Sequence, residues 1–367
     1  MPTLPGADDV APTMRAAVFD RHGGPEVVEV REVPTPAPGP GEVLLRVEAC
    51  GMNHLDLWVR RGLPIETTMP HIGGSDVVGV VVRQGPGVET PPLGTRVVVN
   101  PALWCGRCGS CIRGEQSLCV RFHILGEHTN GGFAEYAVAP ADHCYELPPA
   151  IRSVDAAAWP ISYQTAWRAL VTRARLRPGE DVLVLGASGG TALAAIQIAK
   201  LLGARVFAVT GGADKAERLQ ALGADVVYDR LQVDWSREVW RDTHKRGVDV
   251  VVENVGQATW EASLRAVAKG GRVVTYGATT GPLGATDLRR LFWNQIEILG
   301  TTMASQAEFE AMLRVALRGQ LPPVIDAVLP LERAREAHER LERGQHFGKI
   351  VLVPGPQGGD DGQDARA

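Results

Sequence analysis

Short apolar runs recur through the second half of the chain at Val182 to Leu185, Arg205 to Val209, Asp225 to Tyr228, Val248 to Val252, Gly271 to Tyr276 and Ile296 to Thr301. Between them lie stretches of helical texture, including Thr191 to Leu202 and Lys215 to Leu222. Apolar strands alternating with helices predict a parallel, doubly wound sheet. Gly203 and Gly223 each follow a helix and precede an Ala and a strand, where a left-handed residue ends the helix.

From Met14 to about Ile161 the runs are β-rich and punctuated by Gly and Pro: Val27 to Val33, Glu42 to Ala49, Val77 to Arg83 and Arg96 to Asn100. Pro34 to Gly41 reads as extended linker or edge, since proline cannot donate to a ladder. Beyond Ser305, the set Phe309, Met312, Leu313 and Ala316 behind Ser305 and Glu308 predicts a capped amphipathic helix that packs on a core. Glu332 to Arg343 reads as a solvated helix face and Lys349 to Val353 as a last strand. The expected organisation is a tail over 1–13, a β-rich domain over 14–162, a nucleotide-binding domain over 163–304, a return segment over 305–354 and a tail over 355–367.

A chain of 367 residues with 45% apolar and 22% charged residues carries a two-domain core. Lys plus Arg is 38 against 42 acidic residues, a net charge of −4, which leaves no cationic surplus for a phosphate backbone and argues against nucleic acid as partner. The longest uncharged stretch, Val182 to Ala199, is broken by glycines and hydroxyls, so no membrane span is expected. Met1 to Thr13 lacks the apolar run of a secretory signal, which makes the cytoplasm the expected compartment.

Four of the six cysteines crowd into Cys105, Cys108, Cys111 and Cys119, with Gly106, Gly109 and Gly114 letting the loop fold back. Four thiolates close a tetrahedron around zinc and leave no open position, so the zinc would be structural. A disulfide pair or an iron-sulfur cluster are the other readings of these cysteines.

Leu185 to Ala192 (LGASGGTA) joins a buried strand to a helix. Small residues there let the backbone approach a pyrophosphate at the helix N-terminus, and the strand, helix and strand that follow make dinucleotide binding the reading of Ala187, Ser188, Gly189, Gly190 and Thr191. The second strand ends at Val209-Thr210-Gly211-Gly212 without a carboxylate for the ribose 2′-hydroxyl, which favours NADP(H). Asp214, with Glu217, reads as a helix cap, and Lys215 is placed to face a 2′-phosphate or to be an ordinary exposed lysine.

Together with the cysteine lobe and this turn, the stretches GGPEVVEV, GMNHLDLWVRRG, GGSDVVGVV, GGFAEY, Thr165 to Trp167 and FGKIVLV resemble the medium-chain dehydrogenase/reductase family over roughly Met14 to Val353. The resemblance implies an α/β fold: a Rossmann doubly wound parallel sheet plus a GroES-like β-rich catalytic domain. It also implies a small-molecule substrate bound beside the nicotinamide, with His54 and Thr165 on the cofactor.

Zinc alcohol dehydrogenases of that family hold a second, catalytic zinc, and this chain departs from its ligands. Asn53 stands at the first Cys position, Ser75 and Asp76 replace the His and Glu of the second motif, and Ile161 stands at the third. Leu55 and Trp58 replace the usual proton relay. The Asn53-x-x-Asp56 pattern is similar to the zinc-independent quinone oxidoreductase and enone reductase branches. The expectation is therefore hydride transfer from NADPH to a quinone or α,β-unsaturated carbonyl, with Asn53 and Ser75 as candidate hydrogen-bond donors to the developing oxyanion and the final proton from solvent or an unidentified side chain. Two alternatives stand: an alcohol dehydrogenase with improvised ligands such as Asp76 with His54 or His128, and a nicotinamide-binding regulatory or structural protein without turnover. The resemblance also implies a homodimer or homotetramer, since the family commonly pairs the strand matched by Ile296 to Thr301, at the end of the sheet, across a two-fold axis.

Overall fold

The computed structural model describes residues 10–355. The six apolar runs of the second half form one sheet in the spatial order Val226–Asp229, Arg205–Thr210, Asp181–Val184, Val248–Glu253, Val267–Thr275 and Glu297–Gly300. All neighbours are parallel. The chain winds outward in both directions from Asp181–Val184, so the crevice where the order reverses opens at the C-terminal end of that strand. Val182, Leu183 and Val184 are fully buried because helices cover both faces.

Gly203 and Gly223 end their helices at φ +78° and +105°, as the sequence predicts. Asp214 is not the cap expected of it. The helix Ala213–Ala221 starts directly at Gly212, whose φ of +98° only glycine adopts readily, and this puts Asp214 in the first turn, where its charge still suits the helix dipole. Ser305 does cap its helix: its hydroxyl accepts from the Glu308 N–H at 3.3 Å, and the Glu308 carboxylate accepts from the Ser305 N–H at 2.6 Å.

The first half is built on a largely antiparallel sheet in the order Cys144–Glu146, Arg96–Val99, Asp76–Gln84, Glu42–Gly51, Lys349–Val353 and Ile325–Pro330. The return segment thus completes the sheet of the N-terminal domain, pairing Val351 with Gly51 and Leu352 with Cys50. Pro25–Val27 is a helical turn ahead of the strand Glu29–Pro34, so the expected run over 27–33 starts late. This half also holds the helix His54–Arg61. The helix Pro160–Trp167 runs straight through the expected boundary at 162 and 163 and packs on Gly190–Leu201, where the Tyr163 hydroxyl donates to Gln197 Oε1 at 2.9 Å. The two halves therefore share one core, in which Ala49 and Val78 sit with Tyr163, Ala195 and Val351. No helix among the described residues is long and apolar enough to cross a membrane. Residues 1–9 and 356–367, most of the two expected tails, lie outside the described residues.

Candidate active site

A cleft of about 1130 Å³ opens between the two halves at the sheet's reversal point. Gly186, Ser188, Gly189, Gly190 and Thr191 line it, leading into the twelve-residue helix Gly190–Leu201 with Gly189 as its N-cap. A side chain could not replace hydrogen at Gly186, which has φ +56° and where a Cβ would come within 2.6 Å of Asn254 Oδ1. Free backbone N–H groups at such a turn suit a pyrophosphate. Ala187 does not reach the cleft. Its N–H is spent on the Val209 carbonyl at 3.0 Å, and its methyl is buried in the core.

Thr210, Gly211 and Lys215 lie farther along the same cleft. Lys215 donates to the Gly344 carbonyl at 2.8 Å and to Ser188 Oγ at 3.5 Å, and burial lowers its pKa. Arg230, absent from the sequence expectations, joins them: its Nε is 3.4 Å from the point a Gly211 Cβ would occupy. Only its position one residue past the third strand could have singled it out. His54 and Thr165 line the cleft as expected. The His54 ring stands 5.8 Å from that of His346, and burial holds both imidazoles below their usual range, His346 at about 4.

Asn53 and Lys349, which line the cleft, form a closed triangle with Asp76, which is fully buried behind them. Lys349 Nζ donates to Asn53 Oδ1 at 2.6 Å and to Asp76 Oδ2 at 2.8 Å, while Asn53 Nδ2 donates to the same Asp76 oxygen at 3.0 Å. The other Asp76 oxygen accepts the Ile161 N–H at 2.8 Å. Asn53 opens the helix His54–Arg61, and its N–H donates to Asp56 at 2.7 Å. Asp56 also accepts the Gly74 N–H at 3.0 Å, yet burial pushes its carboxyl up to about 7. Ser75 is fully buried and absent from the cleft lining, and its hydroxyl has no hydrogen-bond partner among the described residues.

This donor set does not fit a second zinc. Both Asp76 oxygens are committed, and an ammonium stands among the positions that a thiolate and an imidazole would need. Asp76, His54 and His128 do not converge: among the described residues, the only three or more His, Cys, Asp or Glu ligand atoms within 4.8 Å of one another are those of Cys105, Cys108, Cys111 and Cys119.

Those four do fit a metal. Their Sγ separations include 3.5 Å for Cys108 to Cys111, 3.5 Å for Cys105 to Cys119 and 4.0 Å for Cys105 to Cys111. A tetrahedron of bonds near 2.3 Å requires about 3.8 Å. The Cys105 and Arg121 N–H groups each donate to Cys119 Sγ at 3.3 Å, as around a bound thiolate. Backbone N–H groups pull the Cys108 thiol down to about 6, whereas burial pushes Cys111 up to about 12. All six cysteines are free of disulfides.

Comparison with known proteins gives the family. The family model described as "Alcohol dehydrogenase GroES-like domain" matches residues 39–149, and "Zinc-binding dehydrogenase" matches 190–318. An alcohol dehydrogenase of Geobacillus stearothermophilus is 33% identical over 346 residues, 92% of this chain and 99% of the relative. A human quinone oxidoreductase is 31% identical over 352 residues, 93% and 98% of the two chains. The chain belongs to the medium-chain dehydrogenase/reductase family. Solved structures of similar shape include an NAD-dependent alcohol dehydrogenase (46% identity, TM-score 0.89, 93% of this chain and 100% of the other). Another is the crotonyl-CoA carboxylase/reductase AntE in complex with NADP (27% identity, TM-score 0.88, 95% and 96% covered).

As a medium-chain dehydrogenase/reductase, the protein is an oxidoreductase that uses a nicotinamide cofactor. Its substrate end carries an apolar wall of Leu55, Trp58, Ile124, Ile161 and Met303. One acid interrupts the wall. Glu127 lines the cleft at 8% exposure, and burial with nearby Asp56 pushes its carboxyl up to about 7. Sequence reading missed it, because a single Glu in the loop over 124–130 carries no motif.

Proposed function

We propose that the protein is an NADPH-dependent reductase of α,β-unsaturated carbonyls or quinones, with one structural zinc on Cys105, Cys108, Cys111 and Cys119 and no catalytic metal. The observation that carries this reading is the Asn53–Asp76–Lys349 triangle in the cleft. When bound, the nicotinamide supplies the hydride, and negative charge builds on the substrate oxygen. That charge calls for a fixed positive group. The ammonium of Lys349 has three protons and two acceptors, Asn53 and Asp76, so one N–H remains for a substrate oxygen. Asn53, whose amide is tied to Asp76 and weakly to the Gly51 carbonyl at 3.4 Å, orients that ammonium rather than acting as the free donor expected of it. Ser75, away from the cleft, has no part in this mechanism.

Choice of NADP rests on Thr210 and Gly211, which offer no carboxylate, and on Arg230 and Lys215, which offer cations to a 2′-phosphate. The opposite reading, NAD and alcohol oxidation, draws on the 46%-identical structure named an NAD-dependent alcohol dehydrogenase. A homodimer or homotetramer fits the outer strand Glu297–Gly300, which is unpaired on one side and flanked by Leu288, Phe292 and Trp293 at 68, 67 and 72% exposure. Cysteines without disulfides suit the cytoplasm.

The test is a panel with purified protein: cyclic enones, enals and benzoquinones with NADPH or NADH, and primary and secondary alcohols with NADP⁺ or NAD⁺. The reading expects NADPH-dependent reduction to dominate. Alcohol oxidation with NAD⁺ as the fastest reaction overturns it, and tight cofactor binding without any turnover selects the non-catalytic alternative.

A further inference from the structure

Hydride addition to the β-carbon of an enone leaves an enolate that needs an acid at the α-carbon, and the one free N–H of Lys349 is taken up by the carbonyl oxygen. The cleft contains one elsewhere. Glu127 sits in the wall of Ile124, Leu55 and Met303, with its side chain 11% exposed, and its Oε2 is 3.0 Å from Nδ1 of His128. His128 does not line the cleft, and its side chain is 33% exposed. Glu127 therefore stands between the substrate space and an imidazole open to water.

The location of the shared proton follows from the partners. His128 Nδ1 lies 3.0 Å from Glu127 Oε2 and 3.4 Å from the Ile124 N–H, so a single proton is shared between the carboxyl and the imidazole. Both environments push the same way: burial raises the carboxyl to about 7, and burial with the nearby His123 ring lowers the imidazole. The charged or titratable groups that face Glu127 are His128 and Asp56, and the second, an acid, opposes ionisation too. An acid held near neutral pH is what proton transfer to carbon requires.

Resting on the reductase reading above, we propose that Glu127 protonates the α-carbon of the enolate and that His128 restores its proton from solvent. In the balanced step the C4–H bond of NADPH breaks with its electron pair and forms the new C–H bond at the β-carbon. The C=C pair moves to give the enolate, stabilised at oxygen by Lys349. As the carbonyl re-forms, the α-carbon takes the proton from the Glu127 O–H, leaving NADP⁺, the saturated carbonyl and a Glu127 carboxylate that water reprotonates through His128. Quinone reduction, which places charge on oxygen only, does not need this acid, so the site favours α,β-unsaturated carbonyls.

The experiment compares wild type with Glu127→Gln, using NADPH with a cyclic enone and with benzoquinone. Glu127→Gln should lower kcat for the enone by about 10²–10⁴-fold with the NADPH KM unchanged, and should abolish the fall in kcat as pH rises through about 7. In D₂O, wild type should deuterate the α-carbon on one face only, a readout that does not depend on the variant folding. Racemic deuteration by wild type, or a Gln variant with wild-type enone kcat and the same pH limb, overturns the role of Glu127 alone. Wild type that reduces benzoquinone but no enone likewise overturns the role of Glu127 alone, whereas wild type inactive on both rejects the reductase reading and this role with it.

Discussion

Lys349 and Asp76, 273 residues apart in the chain, meet through a 2.8 Å ion pair whose side chains are 4% and 0% exposed. The pair ties the last strand, Lys349–Val353, to the head of Asp76–Gln84 across the intervening strand Glu42–Gly51. It fixes the Lys349 ammonium in the wall of the cleft.

A buried pair costs most when only one partner is removed. Lys349→Met should lower the unfolding free energy by about 3–5 kcal/mol, and adding Asp76→Asn to it should recover part of the loss. Urea unfolding of the single and double variants checks this. Equal additive losses would show that the two residues do not act as a pair.

The proposed preference for NADP(H) rests on Arg230, Lys215 and Gly211, which line the cleft. Arg230→Ala and Lys215→Ala should each weaken NADPH and leave NADH nearly unchanged. Gly211→Asp should cost NADPH roughly 1–3 kcal/mol, a factor of about ten to a hundred, through repulsion of the 2′-phosphate. Fluorescence titration with both cofactors measures the ratios.

Asp56 gives a pH signature in stability. Its folded pKa of about 7 lies above the ordinary value of 3.8, because burial outweighs its two backbone N–H partners and Lys349. The folded state then binds more protons than the unfolded state between those two values, so stability falls as pH rises through that window. Relative to Asp56→Asn, which cannot ionise, wild type should lose stability as pH goes from about 4 to 7, by a few kcal/mol at most. Thermal unfolding across that range should show the difference, and a pH-independent gap would mean that Asp56 is ionised throughout.

Assembly is tested at the exposed strip beside the outer strand. Trp293→Glu puts a charge on a side chain that is 72% exposed in the single chain. Light scattering should show wild type as a dimer or larger and the variant shifted toward monomer, with the fold unchanged by circular dichroism.

The sheet, the nucleotide turn and the cysteine lobe were legible because their signals are local. Strand runs, Gly203 and Gly223 at the helix ends, and cysteines within one loop need no knowledge of distant residues. The helix His54–Arg61 was hidden because Leu55, Leu57 and Val59 alternate with period two, like a strand, while the capping carboxylate of Asp56 points into the core. Lys349, Arg230 and Glu127 were invisible for another reason. Each acquires its role from burial or from a partner that only the folded chain supplies. Ser75 and Asn53 were singled out as departures from a metal site, but sequence could not show that one is shut in the core and the other bound to Lys349.

The central proposal is that Lys349, held by Asp76 and Asn53, stands in for a catalytic metal, so that the cysteine lobe is the only zinc site among the described residues. Elemental analysis of gel-filtered, enzymatically active protein tests it most directly. The account predicts about one zinc per chain, lost together with the fold of residues 105–119 on chelation. A stoichiometry near two in active protein would contradict it.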